Sequence, residues 1–330
     1  MCTLTGTLII KIDEEFNDIP DSEKNGLYYF VTTTFVISTL STLFSAAFLV
    51  ISVLLWGHFK TMRFFWFLTQ LTISIFFLSA GNLLIHVPAT LSLLSKEARS
   101  SAMFITVSFL IDFCHYSILF SNLIIAIQRG FVFFSDYYSE KLFDQPIIYI
   151  WLALVWMFSL VIEYVLVTSN CRYQFEEHSR HILLRCSSSS FFLMSVTPVG
   201  IRIVDTLLQI VIPFVIFVIY IMITLRIFLL KQSALSKNEF LILKQASFVF
   251  VAFQASSVVF LIAQSVKTSN ANAFLIKRFV NTMEIIAGAA IPSFFFFTSK
   301  EIRRLLSSRV SASSSQGGPN NQIRGMRYIS

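Results

Sequence analysis

Charge is what this sequence has least of. Lysine, arginine, aspartate and glutamate make up 13% of its 330 residues, against about 25% in soluble globular domains, whose surfaces need them. That excludes an ordinary soluble fold. The signatures of hydrolytic and zinc-protease chemistry are missing too, since neither Gly-x-Ser-x-Gly nor His-Glu-x-x-His occurs. Of the five histidines, His58 is in a loop, His86 at a segment end and His178 and His181 between apolar runs. With His115 alone in the middle of an apolar run, a buried histidine-rich metal centre cannot be assembled. His178 and His181 with Glu176 and Glu177 read as a hydrated loop. An enzyme is not expected, nor a cofactor or metal.

Other absences bear on topology. No Asn-x-Ser/Thr sequon occurs, and Met1 to Ile12 have no basic start before the acidic run Asp13 to Asp18, so a cleaved signal peptide is not expected. The formal charge of +7 is scattered over short loops, whereas a nucleic-acid binder gathers its lysines and arginines on one face. No internal repeat is evident.

What is present is apolar. Hydrophobic residues make up 55% of the chain, phenylalanines number 37 against ten tyrosines, and mean hydropathy is +0.74. Phenylalanine suits lipid-facing surfaces, where a polar ring atom would lack a partner. Seven runs are long enough to cross about 30 Å of hydrocarbon, which takes roughly 20 helical residues. They lie at 27–56, 64–87, 101–128, 146–168, 203–230, 241–265 and 273–298. The expected class is an all-α, polytopic seven-helix membrane protein, with an N-terminal segment 1–26, a membrane domain 27–298 and a tail 299–330.

Basic short loops resist translocation. Lys60 and Arg63, then Arg226, Lys231, Lys237 and Lys244, then Lys300, Arg303, Arg304 and Arg309 mark one side as cytoplasmic. Arg172, Arg180, Arg185, Lys267, Lys277 and Arg278 stand on the other side, so the bias is modest. The acidic N-terminal segment and basic tail agree with the N-terminus outside and the C-terminus in the cytoplasm. From Ser307 onward the small polar composition cannot bury a core, and disorder is expected there.

Cysteine is scarce: Cys2, Cys114, Cys171 and Cys186. The last two lie in the longest outer loop, in an oxidising compartment, and a bridge between them is one arrangement that sequence alone does not fix. Cys114 reads as a buried thiol.

Charges inside hydrocarbon are costly, so each calls for a reason. Asp112 and His115, three apart, share a helical face and suit hydrogen bonding either to a ligand or to a neighbouring helix. Glu284 carries the same two readings. Glu163 and Asp205, close to the outer surface, read as solvated at the interface. Arg129 closes the third span. Pro213 and Pro292 remove backbone hydrogen bonds in the fifth and seventh spans and mark hinges.

Seven spans with this orientation, an arginine closing the third, prolines in the fifth and seventh, and a basic amphipathic stretch after the seventh resemble the rhodopsin-like G-protein-coupled receptors. Three stretches are similar to the nematode serpentine chemoreceptors, nearest to the group called Srx. They are Leu123-Ile-Ile-Ala-Ile-Gln-Arg-Gly-Phe with the trailing Tyr138 and Phe143, Lys237-Asn-Glu-Phe-Leu-Ile-Leu-Lys-Gln, and Ile291-Pro-Ser-Phe-Phe-Phe-Phe-Thr-Ser-Lys-Glu-Ile-Arg. The chain departs from the pattern at Gln128, beside the arginine, and at Ile291 and Phe295, around Pro292. It has no aspartate in span two, where the wider superfamily holds sodium. It has no cysteine at the start of span three, where Phe104 stands, which favours pairing of Cys171 with Cys186.

The resemblance implies a chemosensory receptor in the plasma membrane, in the ciliary membrane of sensory neurons. Its partners would be a small, largely apolar odorant or pheromone, a heterotrimeric G protein and the lipid bilayer. Asp112, His115 and Glu284 would contact the ligand between the outer helix halves; Arg129, Arg226, Lys237 and Lys244 would face the G protein. Two other classes fit seven spans: a ligand-gated channel of opposite orientation, and a small transporter, which should show symmetry between halves.

Overall fold

The computed structural model describes residues 21–60, 62–91, 93–176, 181–186 and 198–229, and six helical positions between Phe279 and Ala289. The chain enters α1 (Asp21–Leu54), makes the single turn α2 (Trp56–Phe59), and returns through α3 (Arg63–Gly81), a π-helical turn (Asn82–His86) and α4 (Val87–Thr90). The short α5 (Lys96–Ser100) precedes α6 (Ala102–Phe134), α7 (Asp136–Leu142) and α8 (Gln145–Thr168). A hairpin of β1 (Cys171–Glu176) and β2 (His181–Cys186) follows, then α9 (Pro198–Leu229).

Among the described residues five helices are long and apolar enough to cross a membrane: Val31–Leu54, Arg63–Thr90, Ala102–Phe134, Gln145–Thr168 and Leu207–Arg226. They match the first five apolar runs. The runs at 241–265 and 273–298 lie outside the described residues, apart from the six helical positions.

Local chemistry sets the boundaries. Ser101 caps α6 by accepting a hydrogen bond from the Phe104 N–H at 3.2 Å. Pro146 fits the first turn of α8, where its missing N–H is not needed. The third span overruns its expected end at 128. Nothing after Gln128 breaks the helix, so α6 continues until Ser135 turns extended, at φ −163° and ψ 101°. Arg129 therefore sits inside the helix by more than a turn. The second span also overruns, from 87 to Thr90, through the π-turn. Pro88 explains that turn: its ring would clash with the carbonyl four residues earlier, at Leu84, and widening the helix relieves the clash. In α9, Pro213 is buried inside an unbroken helix.

α6 is the hub, packed against α3, α8, α9 and β1, while α1 packs on α3. Burial separates the layers: 61% of the α3 and α6 spans is buried, against 22% of α8. The outward face of α8 exposes Trp156, Met157, Phe158, Leu160 and Val161, the surface a bilayer would cover. Small residues let the inner helices approach. A methyl placed on Gly81 would lie 2.6 Å from Ile111 Cγ1, so α3 and α6 approach closely there. Hydroxyl pairs bridge the layers, Ser41 to Ser79 at 2.7 Å and Ser74 to Ser117 at 2.8 Å; Thr34 meets Thr282 at 2.9 Å. In a membrane such pairs contribute about 0.6–2 kcal/mol each.

Candidate functional site

Two polar sites sit on α6, separated by the seventeen residues from Asp112 to Arg129, roughly 25 Å of helix. The first lies under the hairpin. β1 alternates Cys171, Tyr173 and Phe175 with the exposed Arg172 and Gln174, so its apolar side turns onto the bundle. Phe175 packs edge-on to the buried Phe104, 6.3 Å between ring centres, joining a core of Ile85, Ala89 and Phe104. Arg99 lies over the Phe175 ring, 4.9 Å from its centre. The position where the resemblance lacks a cysteine anchor is thus occupied by packed rings. Cys171 is disulfide-bonded and stands opposite Cys186 in the ladder. Cys114 is a buried free thiol.

This packing delivers Tyr173 to α6. Its hydroxyl donates to Asp112 Oδ2 at 2.5 Å, and its ring meets Phe109 edge-on at 4.9 Å. Burial first, then the Asp112 carboxylate, raise the Tyr173 phenol well above its ordinary pKa, so it stays a donor. His115 is one turn along α6 and packs against Tyr116, 5.4 Å between rings. Glu163 of α8 completes the group. The interfacial reading of this residue is corrected: its side chain is 8% exposed, turned inward, with Asp112 and His115 as electrostatic neighbours. Its carboxyl group faces that of Asp112 across the contact between α8 and α6.

The second site is made of rings. Arg129 places its guanidinium 4.1 Å from the centre of the Phe64 ring, on α3, and its Nη2 is buried with no hydrogen bond among the described residues. Tyr220 of α9 is its electrostatic neighbour. The adjacent Gly130 lets α9 close in, for a methyl there would touch Ile219 at 3.4 Å. Arg226 lies over Phe134, 4.9 Å from the ring centre. Beside them Phe143 is fully buried, stacked on Trp151 at 5.8 Å and edge-on to Phe67 at 5.9 Å. Tyr138 is exposed on α7.

Asp112 and His115 thus share one site, Arg129 and Arg226 the α6–α9 side of the other. Glu284, Lys237, Lys244 and Pro292 fall outside the described residues, and Asp205 lies on α9. Glu163 was named by the sequence reading but placed at the interface; Tyr173 and the Pro88 turn were missed by it. Glu163 and Tyr173 left a signal. Val155, Ser159, Glu163 and Leu166 recur at helical spacing on the buried face of α8, and β1 alternates with period two.

A family model described as "Protein of unknown function (DUF621)" matches residues 17–319. No curated protein matches the chain.

Proposed function

We propose that this chain, which belongs to the DUF621 family, is a seven-span chemosensory receptor coupled to a heterotrimeric G protein in the plasma membrane. Its N-terminus is outside and its C-terminus is in the cytoplasm. A small, largely apolar molecule binds under the hairpin, near Asp112 and His115, with Glu284 as a further contact. The observation that carries the reading is the placement of two buried polar sites at opposite ends of one central helix. A device that reports a ligand across a membrane needs this separation.

The mechanism is a population shift, in which a ligand favours whichever helix arrangement binds it better. At rest Arg129 is covered by Phe64 and flanked by Tyr220. Movement of α9 about Pro213 uncovers it for the acidic or carboxylate surface of the G protein, with Arg226, Lys237 and Lys244 adding positive charge. Pro292 serves as the matching hinge in the seventh span. Gln128 beside Arg129 carries no charge, so no acidic neighbour within the span holds the arginine back. We take Cys171 and Cys186 as the bridge that fixes the hairpin, since they stand opposite each other. The resemblance to nematode serpentine chemoreceptors supports an odorant or pheromone as ligand and a sensory cilium as location.

Arg129→Ala separates this reading from the channel. It should abolish a cyclic-nucleotide or calcium reporter signal carried by the G protein, at unchanged surface expression. A ligand-evoked current that survives the substitution, with a Met1 epitope tag that stains only after permeabilisation, would establish the inverted channel instead.

A further inference from the structure

The outer side of this chain carries arginines that its orientation does not explain. Short basic loops resist translocation, yet the hairpin brings two arginines to one place, for Arg172 stands directly opposite Arg185 in the ladder. Residues opposite each other share a face of the sheet, and like charges so placed repel. Cys171, Tyr173 and Phe175 turn onto the bundle, so the arginine pair belongs to the face turned away from it, where Arg172 is exposed. No hydrogen bond or ion pair holds Arg172 among the described residues. The acid of β1, Glu176, is four residues away, about 13 Å of strand. α5 packs against β1 and adds Lys96 and Arg99 against Glu97, so this face of the protein is positive.

The acids of the N-terminal segment are gathered in Asp13, Glu14, Glu15 and Asp18, which lie outside the described residues. α1 starts at Asp21, ten residues before its apolar span begins at Val31, and this is about 15 Å of helix. α1 packs against the π-turn and α4, whose Ile85 and Ala89 share a core with Phe104 and Phe175. The hairpin is thus two packing layers from α1, roughly 20 Å. The four acids precede Asp21 by three to eight residues, an extended reach of about 10–28 Å.

From these observations we infer that the acidic run 13–18 docks on the outer face of the hairpin, with its carboxylates paired to Arg172 and Arg185. A guanidinium takes a carboxylate through two parallel N–H bonds, and carboxylates set between two arginines relieve their mutual repulsion. A soluble organic anion would meet the same pair, but it would compete with acids tethered within reach, at an effective concentration of about a millimolar or more. The docked run straps down the hairpin, the element that holds Tyr173 against Asp112. The inference rests on the proposed orientation, with the N-terminus outside, and not on the nature of the ligand or the G protein.

The test uses the full chain in lipid nanodiscs, with a photoreactive benzophenone amino acid in place of Phe16 and cross-linked peptides mapped by mass spectrometry. The expected result is that cross-links fall on the peptide holding β1 and β2. Reversing the acids (Glu14→Lys with Glu15→Lys) or the arginines (Arg172→Glu with Arg185→Glu) should lower the yield several-fold, and combining both reversals should restore it. Raising the salt from about 0.02 M to 0.5 M, which shortens the screening length from roughly 20 Å to 4 Å, should lower the yield as well. Cross-links that avoid the hairpin, or a yield that neither reversal nor salt changes, overturn the strap. A yield lost with each reversal and not restored by the two together overturns the pairing of charges. A hairpin free of cross-links, in a protein whose melting temperature rises with octanoate and not with octanol, overturns the strap and gives the arginines to a soluble anion. A Met1 epitope tag that stains only after permeabilisation removes the orientation, and the receptor reading with it; a tag that stains on intact cells leaves that reading standing whatever the cross-links show. If the arginine reversal does not fold, the glutamate reversal and the salt series decide.

Discussion

The two ends of α6 bury charge in opposite ways. Under the hairpin, the carboxyl groups of Asp112 and Glu163 face each other, and the Tyr173 hydroxyl donates to Asp112. At the other end, Arg129 and Arg226 lie over the faces of Phe64 and Phe134, contacts that cover a cation without fixing it by hydrogen bonds. The first arrangement groups two acids beneath a phenol donor; the second holds a charge in a form that can be uncovered. A ring face gives up about 2 kcal/mol or less when a guanidinium leaves it, far less than a buried ion pair costs to break. The difference teaches that the end proposed to bind is built on two acids and a phenol drawn together from three elements, and the end proposed to signal on a weak, reversible cover.

Each side of this contrast can be broken separately. The largest effect is expected from Tyr173→Phe, which removes a hydrogen bond to a charged acceptor worth about 1.5–3 kcal/mol. The concentration of ligand giving a half-maximal reporter signal should rise about tenfold or more, with little change in the maximum. An unchanged response would detach the hairpin from the ligand. Next comes Gly81→Ala, which forces a methyl against Ile111 where α3 and α6 touch. Overpacking of this kind costs about 1–3 kcal/mol, and a lowered melting temperature should accompany it. Because α6 is common to both ends, binding and signalling should decline together. Phe64→Ala should have the smallest effect, removing up to about 2 kcal/mol of cation–π cover from Arg129. Basal reporter signal should rise by several-fold without ligand. A fall in basal signal would show that Phe64 supports the active arrangement instead of the resting one.

The first five spans were legible because run length alone identifies a segment that must satisfy its backbone internally. Their ends were not. Arg129 and Gly130 read as a border, yet helix propagation needs only the absence of a breaker, and the break comes at Ser135. Pro88 acts on the turn before it, so its consequence is written at Leu84. Asp112 and His115 were visible as polar residues on one helical face. Glu163 was misread because nearness to a span end was taken for nearness to water, while its phase with Ser159 and Leu166 placed it inward. Tyr173 is joined to Asp112 by a contact sixty-one residues apart in sequence, which no local pattern encodes. The aromatic cover of Arg129 is likewise built from α3 and α6, distant in sequence and adjacent only after packing.

The most direct measurement of the central claim, that one end of α6 receives and the other transmits, is a set of concentration–response curves. They would be recorded in cells expressing a promiscuous G protein, using a compound active on the wild type. Tyr173→Phe should shift the curve to higher concentration and keep its maximum, while Arg129→Ala, equally expressed at the surface, should flatten it. A Tyr173→Phe curve that flattens, or an Arg129→Ala curve that only shifts, would contradict the division of labour between the two ends.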